Sequence, residues 1–146
     1  MSNFSSALAE RDTGFRSFAY PEAIALLGRV LLSGIFVLSG LGKVAQPGAT
    51  IAYIAATGLP LAQFAFVAAV LIELGGGIAL ILGYRTRLVA TGLALFSLVT
   101  ALAFHSALGD QNQLIHFLKN VAIAGGLLQV VAFGGGRFSL DARRSE

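Results

Sequence analysis

The sequence predicts an all-α membrane protein: a bundle of four transmembrane helices, both termini cytoplasmic, with a short interfacial helix between spans 1 and 2. Three observations carry this reading. Hydrophobic residues make up 56% of the chain and charged residues 12%, against about 45–50% and about 25% in soluble domains. Mean hydropathy is +0.81, more apolar surface than a soluble domain of 146 residues could hide. The apolar residues are gathered into four stretches, each near the ~20 residues that cross ~30 Å of hydrocarbon.

The stretches cover residues 22–42, 61–82, 88–108 and 113–133. Glycine and proline mark the joints: Pro47-Gly48, Gly58-Leu59-Pro60, Gly83, Gly109 and Gly134-Gly135-Gly136. The last run reads as a helix stop. Loop cations set the orientation. Arg11 and Arg16 precede span 1, Arg85 and Arg87 join spans 2 and 3, and Arg137, Arg143 and Arg144 follow span 4. With four spans these fall on one side, predicted to be the cytoplasm, while the other side carries only Lys43. The Lys43–Pro60 connection is too long for a plain turn. Ile51, Tyr53, Ile54 and Leu59 predict a short helix there, lying in the interface or folded over the bundle mouth as a lid.

The length allows one domain. Residues 1–20 form a polar N-terminal tail, 21–134 the transmembrane domain, and 135–146 a cytoplasmic C-terminal tail. Within the N-terminal tail, Phe4, Leu8, Phe15 and Phe18 fall near one helical face beside Arg11 and Arg16, so both an interfacial helix and a disordered tail stay open. Nothing in this segment reads as a cleaved signal. The chain has no cysteine, which excludes disulfides, thiolate nucleophiles and cysteine-held iron–sulfur clusters. Any redox role then needs a bound cofactor or a partner. The net charge is +3, but no basic stripe interleaved with aromatics points to nucleic acid. The bilayer is the expected partner.

Ionisable groups within spans cost about 2.5–3.5 kcal/mol each on insertion scales, so they face a partner or a cavity. Arg29 lies in span 1, Glu73 in span 2, His105 in span 3, and His116, Lys119, Asn120 and Gln129 in span 4. Glu73 sits ~15 Å from the cytoplasmic end and Arg29 ~9 Å, which brings an Arg29–Glu73 pair within reach. Two stripes are expected to turn inward: Arg29, Ser33, Phe36, Gly40 and Lys43, and Asn112, His116, Lys119, Asn120 and Ile123. The Gly75–Gly77 run predicts a close helix contact or a local adjustment of the helix beside Glu73.

The chemistry these groups suggest is a pocket for a quinone or another small molecule. Quinone carbonyls accept hydrogen bonds, and their reduction consumes protons, so an acid beside imidazole and ammonium donors suits them. Glu73, His105 and Lys119 are the candidate catalytic residues, and Arg29, Lys43, His116 and Asn120 the candidate binding residues. A b-type haem held by His105 and His116 is a weaker reading, because Lys119 places a cation beside it. No metal site is expected. Nor is there a P-loop, a dinucleotide fingerprint or a hydrolase elbow.

The local signatures resemble the DoxX family of membrane proteins over roughly residues 29–141. They are Arg29 through Gly40-Leu41-Gly42-Lys43, Gly48-Ala49-Thr50-Ile51-Ala52-Tyr53-Ile54, Gly58-Leu59-Pro60, Glu73-Leu74-Gly75-Gly76-Gly77, Gly83-Tyr84-Arg85-Thr86-Arg87, His105, Phe117-Leu118-Lys119-Asn120 and Gly136-Arg137-Phe138-Ser139-Leu140-Asp141. The resemblance implies a four-span inner-membrane protein, a component of an oxidoreductase linked to quinone-coupled sulfur oxidation or to oxidative-stress complexes. It also supports a second reading, a non-catalytic anchor or assembly partner for a soluble redox protein. Apart from the resemblance, a third reading is a small transporter, which with four spans would need a homo-oligomer.

Overall fold

The computed structural model describes residues 20–144; the predicted N-terminal tail lies outside them. Six helices are described: α1 (Tyr20–Ala45), α2 (Pro47–Ala56), α3 (Ala62–Leu82), α4 (Thr86–Phe104), α5 (Gln111–Phe133) and α6 (Leu140–Arg144). No strand occurs among the described residues. Helices α1, α3, α4 and α5 are long and apolar enough to cross a membrane. Their outer faces are bare hydrocarbon: Leu31, Leu71 and Phe133 are 68%, 67% and 80% exposed. Lipid is the solvent that tolerates such a surface, and a helix satisfies its own backbone there.

The helix ends follow local chemistry. Pro47 sits in the first turn of α2, where its missing N–H costs nothing. Gly83, at φ +68, ends α3 in the left-handed conformation that glycine adopts freely. Asp110 caps α5, its carboxylate accepting the Gln113 N–H at 2.9 Å. Span 3 is shorter than its apolar run suggested, ending at Phe104 rather than at residue 108. At His105 the backbone leaves helical geometry (φ −133, ψ 32), and Ala107 and Leu108 belong to a turn closed by the Asp110 N–H on the Ala107 carbonyl.

Helix α1 packs on α3, α3 on α4, and α4 along most of α5. Helix α5 approaches α1 where Gly126 faces Leu32. Phe36, Leu80, Leu93 and Leu127, with Ala90, Ala94 and Ala124, form the core.

The glycine run in α3 does what its composition suggests. Residues Leu71–Gly76 form a π-helical stretch containing Glu73, the kind of local widening often found at functional sites. A Cβ on Gly76 would stand 2.9 Å from Leu93 Cδ2, and one on Gly77 2.8 Å from Val37 Cγ2. The wider turn leaves Glu73, Gly77 and Leu80 all buried on the inner side of α3.

The C-terminal segment is built into the bundle. The Asp141 N–H donates to the Gly83 carbonyl at 3.0 Å. Its carboxylate accepts from the Arg85 N–H, the Thr86 N–H and the Thr86 hydroxyl, each at 2.7 Å. Burial works against ionising Asp141, but these donors and the Arg144 cation outweigh it and hold the carboxyl below its usual range. The Arg137 N–H reaches Glu22 of α1 at 2.8 Å, so the start of α1 and the C-terminal segment share one end of the bundle.

Candidate functional site

The π-helical stretch presents Glu73 toward α1, where Ser39 and Lys43 stand four residues apart on one face. Lys43 Nζ lies 2.8 Å from each Glu73 carboxylate oxygen. It also donates to Ser39 Oγ at 2.8 Å, and the Ser39 hydroxyl donates to Glu73 Oε1 at 3.2 Å. The carboxylate side chain is 7% exposed and that of Lys43 24%. An isolated charge would be expelled at this depth; a charge-assisted pair with a hydroxyl bridging it satisfies the carboxylate.

Arg29 is therefore not the partner of Glu73, although its reach allows it. It is 1% exposed and donates to the carbonyls of Leu80 (3.2 Å), Ile81 (3.3 Å) and Phe138 (2.6 Å). The reason is local: the end of α3 is short of backbone donors, Leu80 accepting only the Gly83 N–H at 3.2 Å, and a planar guanidinium can serve several carbonyls at once. Ser33, also buried, bonds back to the Arg29 carbonyl at 2.6 Å.

Above the Lys43–Glu73 pair, at the α2 end of the bundle, lies a cavity of about 480 Å³. Its walls are mainly apolar or aromatic, with Phe36, Ile54, Phe96 and Phe104 among them, and its polar groups include Ser39, Lys43, Glu73, His105 and Asn120. Helix α2 supplies one wall. Ile54 is buried, and the Tyr53 ring stacks on Phe104 with centroids 5.6 Å apart. His105, at the end of α4, is half-buried and positioned by its Nδ1, 2.8 Å from Gln113 Oε1.

Of the residues singled out from sequence, Glu73, Lys43, His105 and Asn120 border this cavity. Arg29, His116 and Lys119 do not border it. The inward stripe on α1 exists: Arg29, Ser33, Phe36 and Gly40 are buried and Lys43 half-buried. The stripe on α5 does not turn inward. Asn112, His116 and Lys119 are exposed, and Asn120 donates to the His116 carbonyl at 3.1 Å. The His116 ring instead stacks against His105, centroids 5.0 Å apart and planes at 20°. Among the described residues no three His, Cys, Asp or Glu gather as a metal site. Ser39 was missed by the sequence reading. Its signal was its place one turn before Lys43.

Four apolar spans, with an ion pair at membrane depth and a mostly apolar cavity beside it, define a multi-pass integral membrane protein. A family model for DoxX matches residues 24–106. The chain is 36% identical over 116 residues to the inner membrane protein YqjF of Escherichia coli (strain K12), covering 80% of this chain and 88% of that protein. It is 34% identical over 125 residues to the inner membrane protein YphA of the same organism, covering 82% and 89%. No solved structure matches it. The chain belongs to the DoxX family, and the Lys43–Glu73 pair lies within the matched region.

Proposed function

We propose that the chain is the inner-membrane subunit of a redox system and binds a quinone, or a small molecule of similar shape, in the cavity at the α2 end. The observation that carries this reading is the placement of the Lys43–Glu73–Ser39 cluster at the border of a mostly apolar volume of about 480 Å³. That size and lining are typical of small-molecule sites. A quinone supplies an acceptor of two electrons and two protons.

The residues present suit such a guest. Phe36, Phe96 and Phe104 offer flat apolar surface to a ring. Lys43, Ser39 and Asn120 carry donors for carbonyl oxygens, and Glu73 and His105 are groups that hold or release protons. Lys43 takes the ammonium role that sequence spacing assigned to Lys119. The chain holds no thiol, so electrons would come from a soluble redox partner. The arginines at the α6 end support a topology with both termini in the cytoplasm.

The test is organic extraction and mass spectrometry of protein purified in mild detergent, wild type against Glu73→Gln. Quinone retained near one per chain by the wild type and lost in the folded variant supports the reading. No enrichment in either overturns it and leaves the bundle as a membrane anchor for its partner.

A further inference from the structure

A second cavity, of about 470 Å³, opens at the opposite end of the bundle, where the α3–α4 turn meets the loop after α5. Arg85, Arg87 and Leu88 border it from one side and Gly134, Gly136 and Asp141 from the other. The redox reading makes no use of it. From its chemistry we infer that this cavity binds the phosphate headgroup of an anionic phospholipid, with the acyl chains lying against α4.

Arg85 and Arg87 form no ion pair with a carboxylate among the described residues. The acid that borders the same cavity, Asp141, is engaged by backbone and hydroxyl donors of the turn. Those bonds do structural work: they hold Arg85 at φ +42, a left-handed geometry uncommon for a side-chain-bearing residue, and so fix where both arginines leave the chain. The loop opposite is glycine where its backbone is left-handed: Gly134 and Gly136 take φ +80 and +70, and Arg87 Nε lies beside Gly134. Leu88 is 65% exposed on the lipid-facing side of α4. One wall of the cavity is thus cationic and the next turn of the same helix is hydrocarbon. A phospholipid has that polarity, with two arginines able to bind phosphate oxygens. Arg137, Arg143 and Arg144 add positive charge nearby, and basic pockets at such a boundary favour acidic headgroups.

The experiment uses purified full-length chain. Native mass spectrometry and thermal unfolding are run with phosphatidylglycerol, phosphatidylcholine or inorganic phosphate, on the wild type and on Arg85→Gln/Arg87→Gln. The wild type should retain phosphatidylglycerol and gain unfolding temperature from it, with phosphatidylcholine and phosphate doing neither. The double variant should hold phosphatidylglycerol roughly thirtyfold more weakly, the factor for two arginines at about 1 kcal/mol each. Equal retention by the double variant overturns the site, and stabilisation by inorganic phosphate overturns the lipid as its occupant. If the double variant does not fold, wild-type selectivity decides: phosphatidylglycerol bound no better than phosphatidylcholine overturns the proposal. None of these readings depends on quinone content.

Discussion

Arg29 and Lys43 are cations on the inward face of the same helix, fourteen residues apart. Arg29 is sealed at the α6 end, its guanidinium shared among the carbonyls of Leu80, Ile81 and Phe138. No cavity adjoins it among those described. Lys43 sits at the α2 end against a single carboxylate, with space for a guest beside the pair. Both clusters put charge where charge is expensive. In the first, the two terminal guanidinium nitrogens bond backbone carbonyls and tie the C-terminal segment to α3, while the buried Nε has no partner among the described residues. In the second, the charges neutralise each other and Lys43 remains accessible. Depth in the membrane marks both residues as needing partners; only the neighbouring volume separates a fastening from the site proposed for a guest.

The comparison is broken most forcefully at Arg29. Arg29→Ala would take the donor from the Ile81 and Phe138 carbonyls, leave Leu80 only the Gly83 N–H, and open a side-chain-sized void, a loss of about 3–5 kcal/mol. Thermal unfolding in detergent should show a much lower midpoint, while quinone per folded molecule stays at the wild-type level. Arg29→Lys should rescue little, because an ammonium cannot reproduce the planar fork. Unchanged stability in Arg29→Ala would remove the distinction between the two clusters.

At the other end the expected effect is on the ligand. Lys43→Met with Glu73→Gln removes both charges together, so neither remains buried and unpaired, and such replacements are often neutral for stability. Folding should persist, with quinone retention lowered about tenfold or more, as befits the loss of a charge-assisted hydrogen bond. Glu73→Gln alone should be the less stable protein of the two, since it strands Lys43. Full retention by the double variant would show that the ion pair serves the fold and not the guest.

A smaller effect separates the α6 end by pH. The Asp141 carboxyl titrates below its ordinary value, so its stabilising contribution is fully present above pH about 4. It is lost as pH falls through the depressed folded value. Unfolding midpoints of wild type and Asp141→Asn should differ at neutral pH and converge in acid. Parallel curves down to the lowest pH that the protein tolerates would mean that Asp141 gains nothing from its Arg85 and Thr86 donors.

Much of the architecture was legible from sequence, because hydropathy needs only segment length and because Pro47, Gly83 and Gly134 sit where helices start or stop. Glu73 was legible for the same reason: a lone acid in a glycine-rich apolar span needs a partner. Its partner was not. Arg29 and Lys43 lie on one helical face, and sequence spacing cannot tell which of them the π-helical turn of α3 will meet. Nor can it foresee that the carbonyls closing α3 claim Arg29 first.

Lys119 gives the sharpest limit of spacing arguments, and the smallest predicted effect. His116, Lys119 and Asn120 share a helical stripe with Ile123, and a stripe is expected to face inward as a unit. On α5 the face that packs on the bundle is centred on Ala124 and Leu127. Ile123 and Asn120 fall at its edge, where they border the cavity, and Lys119 falls outside it. The lysine stem can lie along apolar surface while its ammonium rises toward the membrane boundary. Lys119→Gln should therefore leave both the unfolding midpoint and quinone retention close to wild type, in contrast to the Lys43 variant. A loss of retention equal to that of the Lys43 variant would mean that α5 rotates toward the cavity when the guest binds, and the two lysines would then have to be treated as one site.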